Sequence, residues 1–112
     1  MESDVTIARI YLSETDHGKR KNLMEEVVTT LHDRHRVRGV TVFRGIAGFG
    51  DGGAVHSADI LRLTVDLPLV VEFFDEPNIV DAVLAQLRDL IRGHPVVTWP
   101  ARLSLNDKTR DT

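Results

Sequence analysis

The chain has 112 residues, of which 42% are hydrophobic and 28% charged, as expected of one ordinary globular domain. Its net charge of −3 argues against a nucleic-acid binder, whose affinity depends on clustered Lys and Arg. Cysteine is absent, which excludes disulfides, thiolate metal sites and a cysteine nucleophile. The longest apolar run, Leu67 to Val71, is too short for a membrane span, and Met1–Asp4 begins no secretory signal. The sequence therefore predicts a cytoplasmic protein.

The first half of the chain predicts a strand, a helix and a second strand. Residues 5–12 are rich in β-branched and large apolar side chains, as in a strand. From Gly18 to His35 apolar residues recur at helical spacing, which predicts a helix of about 16 residues. The basic residues that end this stretch suit the negative end of a helix dipole. Residues 40–44 predict the second strand.

A glycine-rich segment follows at residues 45–53, which hold five of the chain's eight glycines. So many glycines cannot sustain a helix, and they favour a loop that is mobile or shaped around a ligand. Residues 48–53 also match the spacing G-x-G-x-x-G. A dinucleotide site would need a helix to begin directly after the third glycine, and residues 54–59 show no such amphipathic start. The segment is therefore interpreted as a ligand loop and not as a Rossmann turn.

The second half of the chain predicts strand, helix and strand. Residues 56–63 resume an apolar pattern, and residues 67–74 predict the third main strand. Glu76 and Pro77 open a second helix, which Gly93 ends. In residues 96–105 apolar and polar side chains alternate, which predicts a last strand with one packed face. Residues 106–112 form a polar tail, so the core of a single domain, 1–112, spans about 5–105.

This order is β-α-β-β-α-β, the α+β ferredoxin-like sandwich in which two helices cover one face of an antiparallel four-stranded sheet. The third strand is nevertheless apolar on both sides, with Leu69, Val71 and Phe73 pointing one way and Val70 and Phe74 the other. Soluble monomers rarely expose so much hydrocarbon. The pattern therefore predicts a homo-oligomer that packs through its sheets, the alternative being a loop or the tail folded over that face.

Two charged residues flank the glycine-rich segment, Arg44 before it and His56 after it. If the segment leaves and re-enters the sheet at one place, these side chains and free backbone N–H groups would form an anion cradle. The alternative is that Arg44 pairs with an acid such as Asp51 and that His56 caps a strand.

Other chemistry finds little support in the sequence. His32 and His35 lie three residues apart at the predicted helix end, as two metal ligands would, but no third ligand is evident. Ser57 is adjacent to His56, and neighbours in a strand point to opposite faces, so the two are badly placed as nucleophile and base. No catalytic residue is predicted, and the chain is not expected to be an enzyme.

Three stretches carry a resemblance to a known family: Arg44 to Gly50, His56 to Leu63, and Asp66-Leu67-Pro68 with the residues up to Glu72. From about Val5 to Leu105 the chain resembles an uncharacterised bacterial family of PII-like proteins. Gly48-Phe49-Gly50 also resembles the Gly-Phe-Gly that opens the T-loop of nitrogen-regulatory PII signalling proteins.

The resemblance implies a ferredoxin-like protomer, a compact trimer and clefts between subunits, at the T-loop base, in which relatives bind adenine nucleotides. It carries over Gly48 and Gly50 as cleft residues, and Arg44 and His56 are added from their position and charge. The junction of residues 92–95 departs from the family, because it is shorter and poorer in Gly and Lys than the phosphate loop of PII proteins. The predicted ligand-binding residues are Arg44, Gly45, Gly48, Phe49, Gly50 and His56.

The leading hypothesis is a PII-like trimeric regulatory protein that binds a small anionic ligand, with an adenine nucleotide as the candidate, and needs no cofactor. Its glycine-rich segment would act on a partner, and gene neighbourhood in the family suggests a fluoride-channel-type membrane transport protein. The alternatives are a metal-binding trimer resembling copper-tolerance proteins of the same fold and a small ferredoxin-like enzyme.

Overall fold

The computed structural model of the protein describes residues 2–18, 21–48 and 67–106. In this part of the chain the order of elements is the predicted one, strand-helix-strand-strand-helix-strand, and it confirms the ferredoxin-like α+β fold. The elements are β1 (Glu2–Ser13), α1 (Leu23–Thr30), β2 (Gly39–Arg44), β3 (Pro68–Asp75), α2 (Pro77–Leu87) and β4 (Val96–Ser104). Among these residues no helix is long and apolar enough to cross a membrane.

The strands form one sheet in the order β2-β3-β1-β4, and every neighbouring pair is antiparallel. The register sets Ile10 of β1 opposite Val71 on one side and opposite Val96 on the other. Strands β1 and β2 therefore finish at the same end of the sheet at which β3 and β4 begin. We call this end the loop end, because the connections that contain the glycine-rich segment and residues 88–95 meet there.

Both helices pack on one face of the sheet and form the core with it. The central strands contribute Ala8, Ile10, Val71 and Phe73, each with no exposed surface. Burying a side chain of the size of Leu or Phe contributes roughly 1.5–3 kcal/mol, so this cluster is the main source of stability. The helices and the turns after them complete it with Leu23, Val27, Leu31, Val80, Val83, Leu87 and Ile91.

Helix α1 begins later than the predicted Gly18. Asn22 is its N-cap, and the Asn22 Oδ1 atom accepts a hydrogen bond from the Glu25 backbone N–H at 2.8 Å. The preceding residues close a turn instead, with the Gly18 N–H donating to the Lys21 carbonyl. At its other end the helix continues as a π-helical turn over Leu31–His35 and stops at Arg36, whose φ of 49° is left-handed.

Helix α2 starts where the sequence predicts, with Pro77 in its first turn, but it ends before the predicted Gly93. Regular helix stops at Leu87, and residues 88–93 form turns. Gly93 has a φ of 83°, a conformation that favours glycine because it lacks a β-carbon. This glycine therefore reverses the chain into β4 and does not cap the helix directly.

The sheet surface opposite the helices, which we call the open face, has an ion pair at its centre. The Arg9 Nε atom lies 2.8 Å from the Glu72 carboxylate. The Arg9 guanidinium also lies 5.6 Å and 5.4 Å from the ring centroids of Phe43 and Trp99, within cation–π range. Tyr11, Val70, Phe74 and Val97 surround this group on the same face.

The alternation predicted for β4 is present, since Trp99, Ala101 and Leu103 are partly buried while the polar residues and Pro100 between them are exposed. The alternating apolar residues of β4 lie on the open face, because Trp99 pairs with Ile7 and Val97 with Arg9. Trp99 is half-buried, Val97 is 47% exposed, and Leu105, just beyond the strand, is 57% exposed. The helices occupy the other face, so within residues 2–18, 21–48 and 67–106 these side chains pack against their strand neighbours.

Candidate functional site

Of the predicted ligand-binding residues, Arg44, Gly45 and Gly48 are described, and Phe49, Gly50 and His56 lie outside the described residues. Arg44 ends β2 at the loop end. The Gly45 N–H donates to the Pro68 carbonyl at 2.8 Å. A β-carbon would lie 2.5 Å from the Pro68 Cγ atom at Gly45 and 3.2 Å from it at Gly48. These two glycines therefore let the chain pass closely over the start of β3.

Arg44 is engaged by an acid that the sequence did not suggest. Its guanidinium pairs with the Glu14 carboxylate, on the turn that follows β1. Asp51, the partner considered from the sequence, lies outside the described residues. The Arg44 side chain remains 62% exposed, so it can still contact a ligand at the base of the glycine-rich segment.

A cavity of about 320 Å³ opens at the same end of the sheet, between the end of α2 and the start of β4. The end of α2 and the start of β4 bring together an apolar wall and a basic rim. The wall is Leu84, Ile91 and Val96, and the rim is Arg88, Arg92, Gly93 and His94. The cavity is therefore suited to a ligand with an apolar body and a negative charge.

The two arginines and the histidine of the rim differ in their contacts. Arg92 pairs with Asp89 at 2.9 Å, but both side chains are at least 80% exposed, so this pair contributes little and is easily exchanged. Arg88 has no ion-pair partner within residues 2–18, 21–48 and 67–106. The His94 Nδ1 atom lies 3.7 Å from the Asp16 carboxylate, farther than a hydrogen bond.

Sequence reasoning missed this cavity. It judged the junction of residues 92–95 by its length and by its content of Gly and Lys. The available signal was different: Arg88, Arg92 and His94 lie within seven residues around Gly93. Helical spacing from Leu84 through Arg88 to Arg92 places these side chains on one side of the helix end. Only His94, which follows the chain reversal at Gly93, could not be added to this group from periodicity.

The described side chains of the cavity are suited to contact an anion. The residues that line the cavity include no hydroxyl, thiol or carboxylate group. In the described part of the chain, no three His, Asp or Glu side chains are grouped as metal ligands. His32, one of the two histidines considered for a metal, has its Nδ1 atom 2.7 Å from the Asp33 carboxylate and lies at the opposite end of α1 from the cavity.

Comparison with known proteins assigns the chain to a family. The model of the DUF190 family, described as Uncharacterized ACR, matches residues 5–103. The chain belongs to the DUF190 family. A UPF0166 protein of Methanocaldococcus jannaschii is 33% identical to this DUF190 chain over 81% of it and 82% of the relative. A UPF0166 protein of Aquifex aeolicus is 39% identical over 62% of the chain and 66% of the relative.

Solved structures show that this DUF190 chain has the fold of PII-like proteins. CPII from Thiomonas intermedia, bound to ADP and bicarbonate, superposes with a TM-score of 0.58 at 18% identity, over 97% of this chain and 95% of CPII. A PII-like signaling protein from Thermus thermophilus gives a TM-score of 0.54 at 13% identity, over 91% and 89% of the two chains. The resemblance stated from the sequence is thereby confirmed for family and fold.

Proposed function

We propose that the protein is a PII-like signalling protein, without catalytic activity, that binds a small anionic ligand at the loop end. The observation that carries this proposal is the cavity with Arg88, Arg92 and His94 on its rim. It lies at the same end of the sheet as Arg44, Gly45 and Gly48, the described residues of the predicted ligand set. An adenine nucleotide is the leading candidate for the ligand.

The chemistry of the cavity favours a ligand of this class. Arginine forms bidentate, charge-assisted hydrogen bonds with phosphate oxygens, and Arg88 is not engaged by any acid of the described residues. Leu84 and Ile91 offer the apolar contact that a purine or ribose needs. CPII, which shares the fold, was solved with ADP and bicarbonate, and both of these ligands are anions.

The proposed assembly is a homotrimer with the ligand clefts between subunits. Its support is the open face, on which Phe43 and Val97 are each more than 40% exposed in the single chain. In the assembly, other copies cover this face, and the predicted residues Phe49, Gly50 and His56 complete the cleft with Arg44, Gly45 and Gly48.

The glycine-rich segment is proposed to act as a T-loop that contacts a regulated partner. At its start Ile46 is 89% exposed, and an exposed aliphatic side chain on a loop is suited to inserting into a pocket of another protein. The proposed partner is a membrane transport protein, such as a fluoride-channel-type protein.

Titration calorimetry with ATP, ADP, AMP and cyclic AMP tests the ligand. We expect at least one of them to bind to the wild-type protein. Arg88→Gln is expected to weaken this binding about tenfold or more, because a charge-assisted hydrogen bond contributes roughly 1.5–3 kcal/mol. The matched control is Arg102→Gln, which removes an exposed arginine that contacts Glu2 on the neighbouring strand, at the other end of the sheet.

Two outcomes contradict the proposal. The first is the absence of binding heat from all four nucleotides with correctly folded protein. The second is an equal loss of affinity in Arg88→Gln and Arg102→Gln, since that would reflect net charge and not the cavity.

A further inference from the structure

The turn between β1 and α1, residues Ser13–Asp16, lies between the two parts of the proposed site. Its acidic residues lie against the two ends of the connection from β2 to β3 on one side and against His94 of the cavity rim on the other. We propose that this turn couples the cavity to the base of the glycine-rich segment, with Glu14 and Asp16 as the positioning residues. This inference rests on the proposed function, because it concerns the regulation of that site.

Glu14 contacts both ends of the connection from β2 to β3, which begins with the glycine-rich segment. Its carboxylate pairs with the guanidinium of Arg44, the last residue of β2. Its backbone N–H donates to the carbonyl of Leu67, directly before β3, at 3.0 Å. One residue thus contacts the chain where it leaves the sheet and where it returns, so a shift of Glu14 moves both ends together.

Asp16, two residues later, lies beside His94 of the cavity rim. Its Oδ2 atom accepts a hydrogen bond from the Ser13 N–H at 2.6 Å and lies 3.7 Å from the His94 Nδ1 atom. Its backbone carbonyl accepts from Leu23 N–H at 3.0 Å, which anchors the turn to the start of α1. The same carboxylate therefore closes the turn and attracts a side chain of the cavity rim.

A ligand can act on this arrangement through His94. The 3.7 Å distance from His94 to Asp16 is too long for a hydrogen bond, and both side chains are about a quarter exposed. Little free energy is therefore lost when His94 leaves Asp16 for another partner. An anion in the cavity competes with the Asp16 carboxylate for His94. When His94 turns to the anion, the Asp16 carboxylate loses this neighbour and keeps its bond from the Ser13 N–H, and the turn that positions Glu14 changes its set of contacts.

Backbone hydrogen bonds hold the strand and the turn that carry Asp16 and Glu14. The Tyr11 N–H donates to the Pro95 carbonyl at 3.0 Å, which ties β1 to the residue after His94. The Asp16 N–H donates to the Ser13 carbonyl at 3.1 Å. Because these bonds join β1 to the residue after His94 and close the turn, we expect a change at His94 to reach Arg44 through Asp16 and Glu14.

A double-mutant cycle with ADP as the ligand tests the coupling. Glu14 does not line the cavity, yet Glu14→Gln is expected to change the dissociation constant of ADP at least about fivefold, within the usual range of coupling between sites. In the Asp16→Asn background the same substitution should have no effect. Asp89→Asn is the matched control background, because it removes a carboxylate beside Arg92 that is not part of the turn.

A second readout does not depend on the ligand. In NMR spectra of the ligand-free protein, Asp16→Asn should shift the amide resonances of Gly45 and Gly48, and Asp89→Asn should leave them in place. If no nucleotide binds to the wild-type protein but these shifts occur, the proposed ligand is wrong and the coupling through Asp16 and Glu14 is still supported. The coupling is overturned if Asp16→Asn leaves both resonances unmoved, or if Glu14→Gln changes ADP affinity equally in the wild-type and Asp16→Asn backgrounds.

Discussion

At the scale of single residues, Arg9 shows how a charge can occupy the middle of an apolar sheet face. The hydrogen bond with Glu72, and after it the one with Tyr11, raises the pKa of Arg9 above its usual value. Arg9 therefore stays a cation at any pH at which the protein is folded. Because its partner Glu72 lies on the same face, the pair could enter an interface without leaving a buried charge unpaired.

Arg36 has a backbone conformation that its side chain does not favour. Its φ of 49° is left-handed, and in this region a β-carbon contacts the following carbonyl. Arg36→Gly should therefore raise the free energy of unfolding by about 0.5–1 kcal/mol, after the greater freedom of glycine in the unfolded chain is subtracted. Urea unfolding measures this as a higher midpoint with an unchanged slope.

Arg34→Gly is the control for this substitution. Arg34 lies two residues earlier within the π-helical turn, where glycine costs about 1 kcal/mol relative to a good helix former. We expect it to lower the midpoint. If Arg36→Gly also lowers the midpoint, the contacts of the Arg36 side chain stabilise the protein by more than its left-handed backbone conformation destabilises it.

The sequence suggested those residues of the candidate site that lie in one short stretch of the chain. It missed those that come together only through the packing of two elements. Arg44, Gly45 and Gly48 follow one another along the chain, and the structure places them together at the base of the glycine-rich segment. Arg88 and His94 meet only because α2 ends at Leu87 and Gly93 reverses the chain. The cluster of Arg88, Arg92 and His94 around Gly93 is visible in the sequence, but the cavity that it lines appears only once the chain reversal is known.

At the scale of elements, the start of α1 depends on one side chain. The amide oxygen of Asn22 accepts the Glu25 N–H, and its Nδ2 donates to the Glu25 carboxylate at 3.0 Å. Asn22→Ala should lower the free energy of unfolding by about 1 kcal/mol, as the loss of an N-cap does. Thermal and urea unfolding measure this loss.

Asn22→Asp provides the matched control, because aspartate caps a helix about as well as asparagine. Its carboxylate keeps the bond to the Glu25 N–H but loses the donor to the Glu25 side chain. We expect a loss smaller than that of Asn22→Ala. If both variants lose the same stability, the side-chain pair with Glu25 matters more than the cap.

The order and type of the elements could be predicted because apolar spacing differs between helix and strand. The ends of the elements could not be predicted in this way, because they depend on hydrogen bonds that apolar spacing does not reveal. The Asn22 cap moves the start of α1 beyond Gly18, and the π-helical turn after Thr30 departs from the 3.6-residue period that the prediction assumed. The alternation in β4 was recognised, but its apolar side faces away from the helices.

At the scale of the whole molecule, the apolar surface exceeds what two helices can cover. Both sides of β3 are apolar, as the sequence predicted, and the structure buries Leu69, Val71 and Phe73 under the helices. On the open face the neighbouring strands add Phe43, Trp99 and Val97. An apolar face of this kind favours an interface, and a second and third copy of the chain are the proposed cover.

A substitution at Val97 tests this assembly. Val97 is 47% exposed, so Val97→Lys leaves the core of the single chain unaltered. In an assembly packed through the open face, however, the new ammonium would be buried directly opposite Arg9, a like charge without a partner. Sedimentation should therefore give the wild-type protein about three times the chain mass of 12.5 kDa and the variant about one chain mass.

Val42→Lys is the matched control for this experiment. Val42 is the same residue type and is 37% exposed, but it pairs with Val71 and so lies on the helix side of the sheet. It should sediment as the wild-type protein does. Since the two variants carry the same charge, a difference between them locates the interface on the open face. A wild-type protein that sediments at 12.5 kDa would contradict the assembly and, with it, the placement of ligand clefts between subunits.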